Sequence, residues 1–188
     1  MRRRGLLVLS LAALLTCAPH QVVLSEQAPA TLADEPRGYE SAVVTRIVDG
    51  DTIIVEVTGR RGGPGAGDAG VGEHRVRLIG IDTPESVDPR SPVECFGTEA
   101  SDAAKALLEG AEVRMVKDVS ETDRFDRLVR YVYIGAEMAN ARLVVNGYAT
   151  AFTYPPDVRH SDLFVELERE ARDADRGLWA PDTCDGRP

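Results

Sequence analysis

The sequence predicts an α+β domain from three observations. Short β-branched segments are punctuated by Gly and Asp; other stretches repeat apolar residues at i, i+3, i+4 and i+7; and a hydrophobic content of 43% is enough for one buried core. At 188 residues the chain has room for one globular unit with appendages. Strands interspersed with helices, rather than strictly alternating with them, set the class.

Residues 1–25 read as an export signal, with Arg2, Arg3 and Arg4 ahead of an apolar run from Leu6 to Leu15. That run is too short to span a bilayer. Two processing routes stay open. Leu14-Leu15-Thr16-Cys17 resembles a bacterial lipobox, in which Cys17 would carry lipid and tether the protein to a membrane, although Thr16 stands where a smaller residue is usual. Ordinary cleavage near Ala18, or at Ala28-Pro29-Ala30, would discard Cys17. Both routes place the mature chain outside the cell or at its envelope. Both leave Cys95 and Cys184 as an even pair in an oxidising compartment, able to form a disulfide or to remain two thiols. Residues 26–40, rich in Ala, Pro and acidic groups, read as a flexible tether.

The folded domain is expected over 41–181, with 182–188 as a tail. Val43 to Val48 is a first strand, closed by the turn Asp49-Gly50-Asp51, and Thr52 to Val57 is a second. Gly59 to Gly72 is too rich in glycine to pack a core and reads as a mobile loop. His74 to Ile81 is a third strand. Thr98 to Gly110 carries Ala100, Ala103, Ala104, Leu107 and Leu108 on one helical face, with Gly110 as its stop. Val113 to Val116 and Leu128 to Ile134 are two more strands, joined by the polar connection Asp118 to Asp126. Met138 to Val145 is a short helix closed by Gly147. Ser161 to Asp175 is a longer one with Leu163, Phe164, Leu167 and Ala171 on one side, closed by Gly177.

The formal net charge is -9, and removal of the three arginines of the signal takes it to -12. Such a surface repels a polyanion at long range, so any nucleic-acid site must be a local cationic patch helped by bound metal. The second and third strands form a hairpin, which brings Asp51 at the start of one beside Asp82 at the end of the other. Two facing carboxylates repel unless something positive lies between them, and a hard divalent cation suits Asp oxygens, carbonyls and water. An EF-hand is excluded because Arg60 falls at the twelfth position counted from Asp49. An aspartic protease is excluded because Pro84 follows Asp82-Thr83, where a glycine is needed.

Five segments, in order, resemble the staphylococcal nuclease family: Val48-Asp49-Gly50-Asp51-Thr52, Arg77 to Glu85, Phe96 to Ser101, Asp123-Arg124-Phe125-Asp126-Arg127, and Gly177-Leu178-Trp179. The resemblance covers about Ser41 to Trp179. It implies a five-stranded OB-fold β-barrel with three α-helices. It also implies a calcium-dependent nuclease acting on DNA and RNA to leave 3'-phosphates, a monomer with no obligate protein partner. Asp51 and Asp82 then resemble the ligands of one Ca2+, with the Thr83 carbonyl as a third. Asp49 resembles an acid just behind them. Glu85 resembles the carboxylate that positions or deprotonates the attacking water, and Arg77 and Arg127 the guanidinium groups on the scissile phosphate. The chemistry calls for these types, since an arginine fork stays charged and matches phosphoryl oxygens as they gain charge.

Two points stand apart from the resemblance. Strict strand alternation turns Arg77 to the face opposite Asp82, so only a bulge or twist near Gly80 could bring them together. Phe125 occupies a place where the family has a tyrosine, and either Phe152 or Tyr154 aligns with an aromatic that supports nucleotide binding. The competing function is a non-catalytic OB-fold module that binds nucleic acid or protein.

Overall fold

The computed structural model describes residues 37–86 and 93–184. The expected export signal with Cys17, the expected tether up to residue 36 and the expected tail beyond residue 184 lie outside the described residues. Strands β1 (Tyr39–Asp49), β2 (Thr52–Arg61) and β3 (Gly72–Leu78) form an antiparallel meander, and β5 (Glu112–Val116) and β6 (Leu128–Ile134) continue the sheet on the free edge of β1. Parallel pairing of β3 with β6, Val76 opposite Leu128 and Leu78 opposite Arg130, closes the five strands into a barrel. Closure requires curvature, and β1 supplies it through register shifts against β2 at Ser41/Ala42, Val44/Arg46 and Ile47/Asp49.

The barrel interior is apolar by alternation: Val44, Ile53, Val55, Val76, Met115 and Val132 are each fully buried. Three helices pack on this core: α1 (Gly97–Leu108) through Ala104 and Leu108, α2 (Ala139–Val145) through Leu143 and Val144, and α3 (Ser161–Asp173) through Phe164 and Leu167. Two short strands, β4 (Ile81–Asp82) and β8 (Thr150–Ala151), pair with each other outside the barrel, and β7 (Glu137–Met138) extends β6. Buried Asn140 of α2 accepts from the Val132 amide and donates to the Ile79 carbonyl, both at 2.9 Å, which fixes the chain just past β3.

Three elements differ from expectation. The expected strand His74 to Ile81 ends at Leu78, because Gly80 turns the chain at φ 80° and β4 then leaves the barrel to pair with β8. Gly80 also abuts Phe164 so closely that a Cβ would lie 2.2 Å from the ring. β1 starts at Tyr39, two residues inside the expected tether, and Glu40 is fully buried. The glycine-rich segment is held rather than loose: the Lys117 amide donates to Gly65 at 2.7 Å, and the Asp68 amide donates to the Glu121 carboxylate at 3.0 Å. Behind it, buried Arg130 binds both oxygens of Glu40 at 2.9 and 3.0 Å and pairs with Glu121. A Cβ on Gly67 would collide with that guanidinium, so glycine is required where the loop crosses the ion pair.

Beyond α3, the 3-10 turn Gly177–Trp179 folds back so that Leu178 and Trp179 pack with Ala171, Cys184 and Phe96. A disulfide joins Cys95 to Cys184 with Cα atoms 6.0 Å apart, tying the end of the described chain to the start of α1.

Candidate active site

The barrel brings four segments to one rim: the β1–β2 turn with Asp49 and Asp51, the end of β3 with Arg77, the stretch Asp82 to Ser86, and the turn before β6 with Arg127. The register that pairs Thr52 with Arg77 carries the Leu78 amide onto the Asp51 carbonyl at 2.9 Å. Gly80 then reverses the alternation that pointed Arg77 away from Asp82. One Arg77 nitrogen lies 2.7 Å from Asp82 and 3.1 Å from Asp51, bridging the two carboxylates. Its other terminal nitrogen donates to the Leu78 and Ile81 carbonyls at 2.8 and 2.7 Å, so the fork is fixed by the turn that β4 begins.

Arg127 is equally constrained and is no solvated surface charge. Its Nε and a terminal nitrogen both lie 2.7 Å from one oxygen of Asp123, while its amide donates to the other oxygen at 3.0 Å. The remaining terminal nitrogen donates to the Thr52 hydroxyl at 3.2 Å, and that hydroxyl donates to Asp51 at 2.9 Å. A continuous chain of polar contacts therefore runs from Asp123 through Arg127, Thr52, Asp51 and Arg77 to Asp82. Burial of Asp123 alone would raise its pKa; the bonds from the Arg127 side chain and from the Arg127 and Phe125 amides overcome this and hold the carboxyl below its usual range.

The acids behave as a crowded, partly dry cluster. Burial pushes Asp49 up to about 6, opposed by the Ser86 hydroxyl at 2.6 Å and the Gly50 amide at 2.9 Å, with the charges of Asp51 and Glu85 adding to the rise. Asp82 is also raised to about 6, first by burial, then with Arg77 opposing and Asp51 and Glu94 adding; half its side-chain surface meets solvent, which tempers the effect. Thr83 donates its amide to Asp51 at 3.2 Å, and its buried hydroxyl has no hydrogen-bond partner among the described residues. Converging carboxylates beside such a hydroxyl fit a hard cation with oxygen ligands. Among the described residues no three His, Cys, Asp or Glu side chains converge at ligand spacing. Asp51 and Asp82 are a pair, and a cation held between them would need carbonyl and solvent oxygens to complete its coordination.

Glu85 follows at the edge of this cluster, its charge felt by Asp49 and its amide bonded to the Glu94 carboxylate at 2.7 Å. In front of the arginines opens a cleft of about 440 Å³ lined by Arg77, Asp82, Phe125, Arg127, Phe152 and Tyr154. Phe125 is 63% exposed and Tyr154 67%. The rings of Phe152 and Tyr154 stack with centroids 6.3 Å apart, and Phe125 lies under the guanidinium groups of Arg124 and Arg127 at 4.6 and 5.4 Å. Both aromatics weighed from the sequence thus line the cleft together. His74 binds the Gly70 carbonyl and His160 packs on Tyr131, both away from it.

Three supporting residues escaped the sequence reading. Asp123 stands four positions before Arg127 inside a segment already singled out, so spacing could have suggested the pair. Thr52 and Ser86 are neighbours of named acids, and nothing in their spacing marks them as partners.

Residues 75–181 match the family model described as staphylococcal nuclease homologue. The chain is 37% identical over 140 residues to the thermonuclease of Staphylococcus intermedius, covering 74% of this chain and 76% of that protein. It is 36% identical over 137 residues to the thermonuclease of Staphylococcus hyicus, covering 73% and 74%. With endonuclease YncB of Bacillus subtilis (strain 168) it shares 29% over 142 residues, covering 74% of this chain and 62% of that one.

Proposed function

Because this chain belongs to the staphylococcal nuclease family, we propose that it is an exported, calcium-dependent nuclease that hydrolyses phosphodiester bonds of DNA and RNA and leaves 3'-phosphates. The observation that carries the reading is that Arg77 bridges Asp51 and Asp82 while Arg127, held by Asp123, reaches the same acid pair, at Asp51, through the Thr52 hydroxyl, beside a cleft floored by exposed aromatics. Asp51 and Asp82, with the Thr83 carbonyl, would hold calcium, which when bound supplies a Lewis-acid charge at a phosphoryl oxygen.

The protein's own groups do the rest. Arg77 and Arg127 present donors to the phosphoryl oxygens as negative charge builds on them, and the hold of Asp123 on Arg127 lowers the reorganisation that its donors need. Arg77 must give up its carboxylate contacts to reach a phosphate. Glu85 accepts a proton from the attacking water or holds that water in line. The bond from phosphorus to the 5'-oxygen breaks as the water oxygen bonds to phosphorus, the 5'-oxygen leaves as a hydroxyl with a proton from solvent, and the phosphate stays on the 3' side. Phe152, Tyr154 and Phe125 offer stacking faces for bases, a sequence-tolerant grip that suits both DNA and RNA. The overall acidity confines binding to this cleft. The Cys95–Cys184 bond supports an oxidising destination.

The test is incubation of the purified protein and calcium with labelled DNA and RNA oligonucleotides. Fragments should resist 3' extension by a polymerase until a phosphatase is added. Oligonucleotides bound but left intact would instead support the non-catalytic binding module.

A further inference from the structure

The backbone of Glu85 is gripped by one short segment. Its amide donates to the Glu94 carboxylate at 2.7 Å, and the Glu94 amide donates back to the Glu85 carbonyl at 2.9 Å. Gly97 sits so near that carbonyl that a Cβ on it would lie 2.7 Å away, and the Gly97 amide donates to the Glu94 carbonyl at 3.0 Å. The gripping segment is itself anchored. Cys95 is bonded to Cys184 across 89 residues, and Phe96, held at φ 69°, stacks on Tyr148 with ring centroids 5.8 Å apart. Phe96 and Cys184 then pack with Ala171, Leu178 and Trp179 at the far end of α3.

We propose that Glu94 is a positioning residue that acts through Glu85, and that the Cys95–Cys184 disulfide is the anchor that keeps Glu94 in place. This rests on the nuclease reading above. A carboxylate that must meet a water along one line needs a backbone fixed on that scale, and a 1 Å misplacement costs about 100-fold in rate. The bond from the Glu85 amide to a carboxylate is charge-assisted, roughly twice as strong as its neutral counterpart. Glu94 lies nine residues after Glu85 and directly before Cys95, so its grip on Glu85 depends on what holds it from the Cys95 side. Cys95 transfers that burden to the packed cluster at the end of α3.

The experiment measures kcat and KM for one oligonucleotide at saturating calcium, with thermal midpoints recorded alongside. Glu94→Ala should lower kcat by roughly 10- to 100-fold with little change in KM. Glu94→Gln keeps an oxygen that can accept the Glu85 amide, and should stay within about threefold of wild type. In a Glu85→Gln background, Glu94→Ala should cost nothing further, since the route through Glu85 is already cut. Cys95→Ala with Cys184→Ala, assayed below its own thermal midpoint, should lose kcat in the same direction as Glu94→Ala. The proposal is overturned if Glu94→Ala turns over like wild type, if its loss persists undiminished in Glu85→Gln, or if Glu94→Gln is as slow as Glu94→Ala. Wild-type kcat in the folded cysteine variant overturns the anchor. A wild-type protein that cuts nothing contradicts the nuclease reading, whereas unaltered Glu94→Ala beside an active wild type contradicts the positioning alone.

Discussion

Replacing Arg127 by alanine separates catalysis from stability. The side chain and its partner Asp123 are 20% and 19% exposed, a setting where a lost ion pair costs about 1 kcal/mol. For a chain of this size that is a fall of roughly 2–4 °C in thermal midpoint. The effect on chemistry is far larger, because Asp123 holds the guanidinium by two nitrogens at 2.7 Å and leaves it pre-aimed beside Thr52. Loss of one pre-aimed donor to a developing oxyanion costs about 2.7–4 kcal/mol, or 100- to 1,000-fold in kcat. Arg127→Lys restores the charge but not the planar fork, and should recover no more than about tenfold. A fluorophore–quencher oligonucleotide at saturating calcium measures both variants. Arg127→Ala within tenfold of wild type, or full rescue by lysine, refutes the reasoning.

Removing Arg130 should act on stability instead. Arg130→Met strands a fully buried Glu40 and should cost about 3–5 kcal/mol in urea denaturation, partly regained by adding Glu40→Gln; a loss below 1 kcal/mol contradicts the buried pair. Asp51→Ala and Asp82→Ala should each weaken calcium binding in calorimetry, and unaltered affinity in either removes that residue from the ligand set. Burial, with help from the Arg159 charge and against Asp118, holds the His160 pKa below its ordinary value of 6.5. The fold therefore favours the neutral ring: stability is intact above pH 6.5 and declines as pH falls through the lower folded value. His160→Asn should flatten that part of the pH–stability curve, and an unchanged curve would show that the ring does not titrate against folding.

The barrel strands and the helices were legible because β-branched alternation and the 3.6-residue period are local signals. The hairpin placed Asp51 at the correct rim, but Asp82 reaches it only through the Gly80 turn and β4, beyond the end of β3 at Leu78. Arg77 was not legible either. Its facing depends on a left-handed glycine at position 80 and on the pairing of β4 with β8, whose partners are about 70 residues apart. The glycine-rich segment misled for a similar reason, since composition says nothing about an Arg130 that reaches Glu40 and Glu121 from a strand otherwise read as core. Glu40 looked like tether because an acid beside Pro-rich chain is usually solvated, and only its partner 90 residues later makes burial tolerable. The grip of Arg127 by Asp123 lay within reach of spacing, whereas the Thr52 and Ser86 contacts needed coordinates.

The most direct measurement follows cleavage of one oligonucleotide as free calcium is raised from a chelator-buffered zero. If opposed carboxylates and two guanidinium groups act on one phosphate only with a cation in place, the rate should be absent at zero, rise to saturation, and shift to higher calcium in Asp82→Ala. Cleavage that persists in excess chelator, or a calcium response identical in that variant, would contradict the account.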